Sequence, residues 1–135
     1  MTNHESGENL LKDAELYCEE MQRMFEKERW NIVVGRAQEV VELSMKGILK
    51  IMGIDFPKVH NVAPLFIQLL QEKKIDLEKE VSEKILSISK LLAKDRAPAF
   101  YGEKVYSRED AGIAQNGAKD ILKWIGDIKL KLDRK

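Results

Sequence analysis

Apolar residues return every three or four positions through almost the whole chain, and little interrupts them: eight glycines and three prolines in 135 residues. No stretch alternates polar and apolar residues long enough to suggest an amphipathic strand, so the pattern commits the chain to helices. The first is predicted over about Glu8–Glu28, where Leu10, Ala14, Tyr17, Met21 and Met24 form one stripe, with Leu11, Cys18 and Phe25 one residue along. Such a stripe on a charged rod buries a single face. Residues 1–7 are expected to be a frayed, disordered start, leaving 8–135 as one domain.

The second helix, predicted over about Trp30–Met52, is apolar around a wider arc that includes Val33, Val34, Ala37, Val40, Val41, Met45, Ile48 and Leu49. A helix greasy on most sides belongs in the middle of a bundle. Gly53 suits the left-handed residue that closes it, and Asp55-Phe56-Pro57 enforces an extended connection. A short helix over about Val62–Lys73 tolerates Pro64 in its first turn, where a missing N–H costs nothing. Asp76 reads as the N-cap of a fourth helix ending near Ala97, with Pro98 as its stop. After a loop of about ten residues, Ser107-Arg108-Glu109-Asp110 opens a fifth helix with the spacing of a capping box. Ala111, Ala114, Ala118, Ile121, Ile125, Ile128 and Leu132 line its inner face.

Four long helices and one short one, joined by brief loops, specify an all-α up-and-down bundle. A chain of this length buries about two thirds of its unfolded surface and needs no disulfide or metal to hold a core. Cys18 is the single cysteine, which removes a disulfide framework, a cysteine-based zinc site and a redox pair. The longest stretch free of Asp, Glu, Lys and Arg is Val59–Gln71, short of the ~20 residues a membrane helix requires. A polar, acidic start is unlike a secretory signal, so a cytoplasmic setting is expected, with no membrane partner. Twenty-three basic residues balance 23 acidic ones, which argues against a grip on nucleic acid by bulk charge, and no DNA partner is expected.

The balance is uneven along the chain. Residues 5–28 carry eight acidic and three basic side chains, a net of −5, and residues 119–135 carry six basic and three acidic, a net of +3. Most of this is solvated helix surface, yet it offers the first and last helices a way to pair.

Chemistry-bearing residues are few. His4 lies in the polar start. His60 follows a proline-containing loop, and either fixes that loop by packing and capping or acts as a ligand or proton carrier. No Glu-x-x-His pair of the di-iron kind exists, and neither a metal nor a cofactor is expected. The segment Lys94-Asp95-Arg96-Ala97-Pro98-Ala99-Phe100-Tyr101-Gly102-Glu103-Lys104 gathers positive charge at a helix end beside two aromatics. Lys94 and Arg96 there either complement the helix dipole or form an anion site, with Arg96 as planar donor to phosphate and aromatics stacking on bases.

Taken together, these residues resemble the HEPN family (higher eukaryotes and prokaryotes nucleotide-binding) over nearly the whole chain. Glu42-Leu43-Ser44-Met45-Lys46 is similar to the family's Glu-Leu-x-x-Lys on its second helix. Gly53 to Pro57, then His60 and Leu65, follow its Gly…Pro…His-x-x-x-x-Leu connection, and Arg96 falls at the end of a later helix, followed by Tyr101. Glu42, Lys46 and His60 are thereby structural motif positions. The resemblance implies a helical bundle that forms a symmetric homodimer. It also implies metal-independent ribonuclease chemistry in many members, with an arginine and a following histidine from each subunit meeting at the dimer cleft.

The chain departs from that motif where the chemistry lies. Ala97 replaces the polar residue after Arg96, and Tyr101 stands where the histidine would be; a phenol with an ordinary pKa of about 10 is a poor base at neutral pH. The leading expectation is a non-catalytic or weakly catalytic subunit whose Lys94, Arg96, Phe100, Tyr101 and Lys104 bind a nucleotide or RNA. The resemblance also implies pairing with a small nucleotidyltransferase, as a toxin–antitoxin couple or a two-part transferase, with Tyr101 or Tyr106 open to modification. The alternatives are a ribonuclease with Arg96 and Tyr101 as catalytic residues, and a helical interaction module with a vestigial cleft.

Overall fold

A computed structural model describes residues 1–134; Lys135, at the end of the expected domain, lies outside them. The described residues form five helices and no strand: α1 Asn3–Glu26, α2 Trp30–Ile51, α3 Ala63–Glu72, α4 Lys79–Tyr101 and α5 Arg108–Asp133. The all-α architecture of four long helices and one short helix is as the periodicity predicts. Among these residues no helix is long and apolar enough to cross a membrane.

α2 is the centre. It touches each of the other four helices, which explains its wide apolar arc: Val33, Ala37, Val40, Met45, Ile48 and Leu49 are all fully buried. Around it close Met21 of α1, Phe66 of α3, Ile85 of α4 and Ile121, Ile125 and Ile128 of α5, all buried. Small residues at the start of α5, Ala111, Ala114, Gly117 and Ala118, let it approach closely; a Cβ on Gly117 would meet Ile88 of α4 at 2.9 Å.

The helix ends follow local chemistry, and three depart from expectation. First, α1 begins at Asn3, so residues 3–7 are helical instead of frayed. Thr2 Oγ1 accepts the Glu5 N–H at 3.0 Å and donates to Glu5 Oε1 at 3.2 Å, satisfying a donor that a helix start otherwise leaves orphaned. Gly7 is buried against α2, giving this first turn a tertiary anchor. Second, the N-cap of α4 is Glu78, and Asp76 is not a cap. Ile75 is buried and Leu77 packs on the core, so the chain enters the interior before the helix starts. The carbonyl of Asp76 instead accepts from Lys131 Nζ at 2.8 Å.

Third, Pro98 does not stop α4, which continues to Tyr101. A proline removes one helix bond, to the carbonyl four residues back, but the last turn has other support. Gly102, in the left-handed conformation at φ 66°, and Glu103 both donate to the Pro98 carbonyl. Ala99 is buried, and Asn31 Nδ2 reaches from the start of α2 to the carbonyls of Ala99 at 3.5 Å and Lys104 at 3.1 Å. The loop to α5 shrinks accordingly to residues 102–107. Ser107 and Asp110 complete both halves of the capping box, the shorter aspartate reaching the Ser107 N–H at 2.9 Å.

Candidate functional site

Polar residues inside the central helix need partners, because an unpaired buried charge is costly. Gln38, Glu42 and Lys46 stand four residues apart on one face of α2 and bond to one another, with Gln38 Oε1 left buried and without a hydrogen bond among the described residues. Gln38 Nε2 donates to Glu42 Oε1 at 2.8 Å, and Lys46 Nζ donates to Glu42 Oε2 at 2.8 Å. His60, from the α2–α3 connection, brings Nδ1 to 2.9 Å from Glu42 Oε1, and Gln38 reaches the His60 carbonyl at 3.4 Å. Lys46 also lies over the Phe56 ring at 5.4 Å. The three motif positions Glu42, Lys46 and His60 thus form one network that fastens the connection to α2. Burial of Glu42 opposes its ionisation. Hydrogen bonds from Lys46, Gln38 and His60 outweigh that cost and hold its pKa below the ordinary glutamate value.

Glu42 also faces a groove of about 600 Å³ between α1, α2 and α4, a volume typical of small-ligand sites. Its floor is built around Arg36. The guanidinium lies 2.7 Å from Glu39 Oε1 through Nη1 and 3.1 Å from Glu20 Oε1 through Nε, and sits 5.3 Å over the Tyr17 ring. The Nε contact is close but off the N–H direction, since that atom makes no hydrogen bond; it is an ion pair that ties α1 to α2. Arg36 is therefore held between two carboxylates.

Arg96 and Phe100 close the groove from α4. One turn apart on the same helix face, they present an exposed guanidinium and a ring that is 79% exposed. No hydrogen bond, ion pair or ring contact engages Arg96 among the described residues. Among the described residues it is the groove's one uncommitted cation.

The other predicted site residues point elsewhere. Tyr101 follows Arg96 by five residues, about 140° around a helix, and is not part of the groove lining. It is 69% exposed and stands edge-on to Phe100, with ring centres 4.9 Å apart. Lys94 is exposed and likewise outside the lining. Lys104 turns back to 3.8 Å from Asp95 Oδ1 and lies 4.9 Å over the Tyr106 ring. Tyr106 itself is buried, its hydroxyl donating to the Asp95 carbonyl at 3.4 Å. Burial, followed by the neighbouring Asp95, pushes its pKa up to about 12. Of the two tyrosines considered for modification, Tyr101 alone presents its side chain to solvent.

Arg96 and Phe100 thus come together, whereas Lys94, Tyr101 and Lys104 do not join them. Tyr17, Glu20, Arg36 and Glu39 complete the groove and were not anticipated. The Arg36–Glu39 pair, three residues apart on a helix, carried a readable local signal; the Glu20 and Tyr17 contacts cross between helices and carried none. Among the described residues, no three His, Cys, Asp or Glu side chains cluster closely enough to hold a metal ion.

An exposed apolar strip borders the groove. Ile32 lines it beside Phe100, and also lines a smaller depression with Val105, which is 91% exposed. With Tyr101 against Phe100, the strip runs from the start of α2 across the end of α4 into the following loop.

The HEPN domain family model matches residues 8–128. The crystal structure of an archaeal HEPN homologue superposes with a TM-score of 0.68 at 24% sequence identity, covering 90% of this chain and 97% of that one. At that identity the likeness speaks for the fold. No curated protein matches the sequence significantly.

Proposed function

The chain belongs to the HEPN domain family, and from that premise we propose that it is a non-catalytic subunit that binds a nucleotide in the groove between α1, α2 and α4. The observation that carries this reading is Arg96, an exposed guanidinium without a protein partner among the described residues, one turn from an exposed phenylalanine at a groove of ligand size. A guanidinium offers a planar fork to phosphate, and an aromatic ring offers a stacking face to a base.

The ribonuclease reading has less support. It requires a group that accepts a proton from the attacking hydroxyl, and the groove lining contains no histidine. Tyr101 lies around the helix from Arg96, and its phenol is unsuited to that task. Dimerisation belongs to the proposal, supported by the exposed strip of Ile32, Phe100, Tyr101 and Val105, since apolar side chains gathered at one site favour a covering surface. Pairing with a small nucleotidyltransferase is also part of it, supported by the accessibility of Tyr101.

The test is thermal melting of the purified protein with and without nucleotide. A ligand that binds the folded state must raise the melting temperature, and the rise is expected to vanish in Arg96→Ala. An unchanged melting temperature with every nucleotide removes the reading. Metal-free incubation with mixed RNA tests the alternative: cleavage that is lost in Arg96→Ala would make this an enzyme after all.

A further inference from the structure

We propose that the groove selects a nucleoside monophosphate over the corresponding triphosphate, an inference that rests on the nucleotide-binding role above. The reason is the charge of its walls. Glu20, Glu39 and Glu42 face the groove against two cations, Arg36 and Arg96. Arg36 is engaged by both Glu20 and Glu39, and Glu42 is held by Lys46. Among the described residues, the cationic capacity left for a ligand is a single guanidinium, that of Arg96.

One arginine fork matches one phosphate group. A second and a third phosphate find no further free cation in the lining, and they bring added negative charge towards the carboxylates of Glu20 and Glu39. In a half-open groove, where solvent screens less than bulk water does, like charges at this range oppose binding strongly. Those carboxylates serve the rest of the ligand instead. Oε1 of each faces Arg36, while no hydrogen bond reaches either Oε2 among the described residues. Each can accept a hydrogen bond from a ribose hydroxyl or a base amino group. With the Phe100 ring as stacking face, phosphate, sugar and base all have receptors, and a polyphosphate tail has none.

The experiment is calorimetric titration with AMP, ADP and ATP in chelator, because a divalent cation would mask the repulsion. AMP is expected to bind more tightly than ATP by about tenfold or more, the scale of one like-charge contact in a partly hydrated site. In Glu39→Gln, and separately in Glu20→Gln, the gap is expected to narrow because ATP gains affinity; both side chains are part-exposed, so the bundle tolerates the changes. ATP binding as tightly as AMP, with both lost in Arg96→Ala, overturns the selection and leaves the nucleotide site standing. No binding by any of the three removes the site itself, and the selection with it. A short RNA whose terminal phosphate displaces AMP at lower concentration overturns the free mononucleotide as occupant and assigns the phosphate pocket to an RNA end.

Discussion

Gly7 of α1 rests directly on Gly47 of α2: a Cβ on Gly7 would stand 2.6 Å from the Gly47 carbonyl oxygen and 2.6 Å from Ile51 Cγ1. Helix propensity alone favours alanine over glycine at an interior position by about 1 kcal/mol. Here the added methyl collides with backbone, which cannot swing aside as a side-chain tip can. Gly7→Ala is therefore expected to destabilise the protein by about 1–3 kcal/mol, the usual range for overpacking. Gly126→Ala, on the exposed side of α5 with nothing within 4 Å of the new methyl, is the contrasting case and should stabilise by up to about 1 kcal/mol. Denaturant midpoints of the two variants, moving in opposite directions, check the pair. A stable Gly7→Ala would mean that α1 can back away from α2.

The Glu42 network predicts an acid limb in stability. Its carboxyl pKa is lowered on folding, so the unfolded chain binds the proton more readily. The stabilisation is complete above the unfolded value, about 4.3 for an ordinary glutamate, and is lost as pH falls through the lower folded value. Urea unfolding of the wild type should therefore weaken below about pH 5 more steeply than that of Glu42→Gln. At neutral pH, Glu42→Ala strands Lys46 with its ammonium largely buried and should cost about 3 kcal/mol, at the low end for a broken buried pair because the site is partly hydrated. Equal acid limbs in wild type and Glu42→Gln would detach this carboxyl from the pH dependence.

Tyr106 predicts the opposite limb. Its pKa is raised to about 12, so the unfolded state releases the phenolic proton first. The contribution is complete below the unfolded value, near ~10, and is lost as pH rises towards the folded one. Absorbance titration of the folded protein should show one phenol ionising about two pH units later than free tyrosine, and that step should be missing in Tyr106→Phe. The variant should cost about 1 kcal/mol at neutral pH, the net worth of one hydrogen bond. A complete tyrosine titration finishing near pH ~10 would place the Tyr106 ring in water.

The residues that folded as their pattern implied are those whose partners the pattern itself specifies. Val33, Ala37, Val40, Met45 and Ile48 are buried because a helix apolar on most sides has only one place in a bundle. Ser107 and Asp110 cap because capping is local. Thr2 and Glu5 carry the same three-residue spacing, but in so polar a start it does not by itself hold a helix; the buried contact of Gly7 explains why the helix holds there. Pro98 misled because a proline forbids one hydrogen bond, and Asn31, 67 positions away in sequence, helps to hold the turn that follows. The site divides along the same line. Arg96 was legible as a cation at a helix end, whereas Phe100 joins its face only because α4 runs on past Pro98 to Tyr101. The pinning of Arg36 by Glu20 is a meeting of two helices, and it decides which arginine is free. The charge asymmetry along the chain is realised at one such meeting, Glu8 of α1 with Lys129 of α5 at 3.1 Å.

The apolar strip gives a prediction about assembly that separates it from the groove. Phe100 serves both the groove and the strip, whereas Val105 is 91% exposed and is absent from the groove lining. If the strip is covered by a second copy, Val105→Glu should drive the protein towards monomer, because it places a charge where water is to be excluded. The fold should be unaffected, since the side chain has little to lose on the subunit's own surface. Sedimentation equilibrium at micromolar concentration checks this, with a dimeric wild type and a monomeric Val105→Glu as the expected pair. Nucleotide affinity in that variant carries a second result. A groove contained within one subunit keeps its affinity as the dimer dissociates, while a groove completed by the partner loses it in step with dissociation. A wild type that sediments as a monomer leaves the strip to a different protein and confines the nucleotide site to one chain.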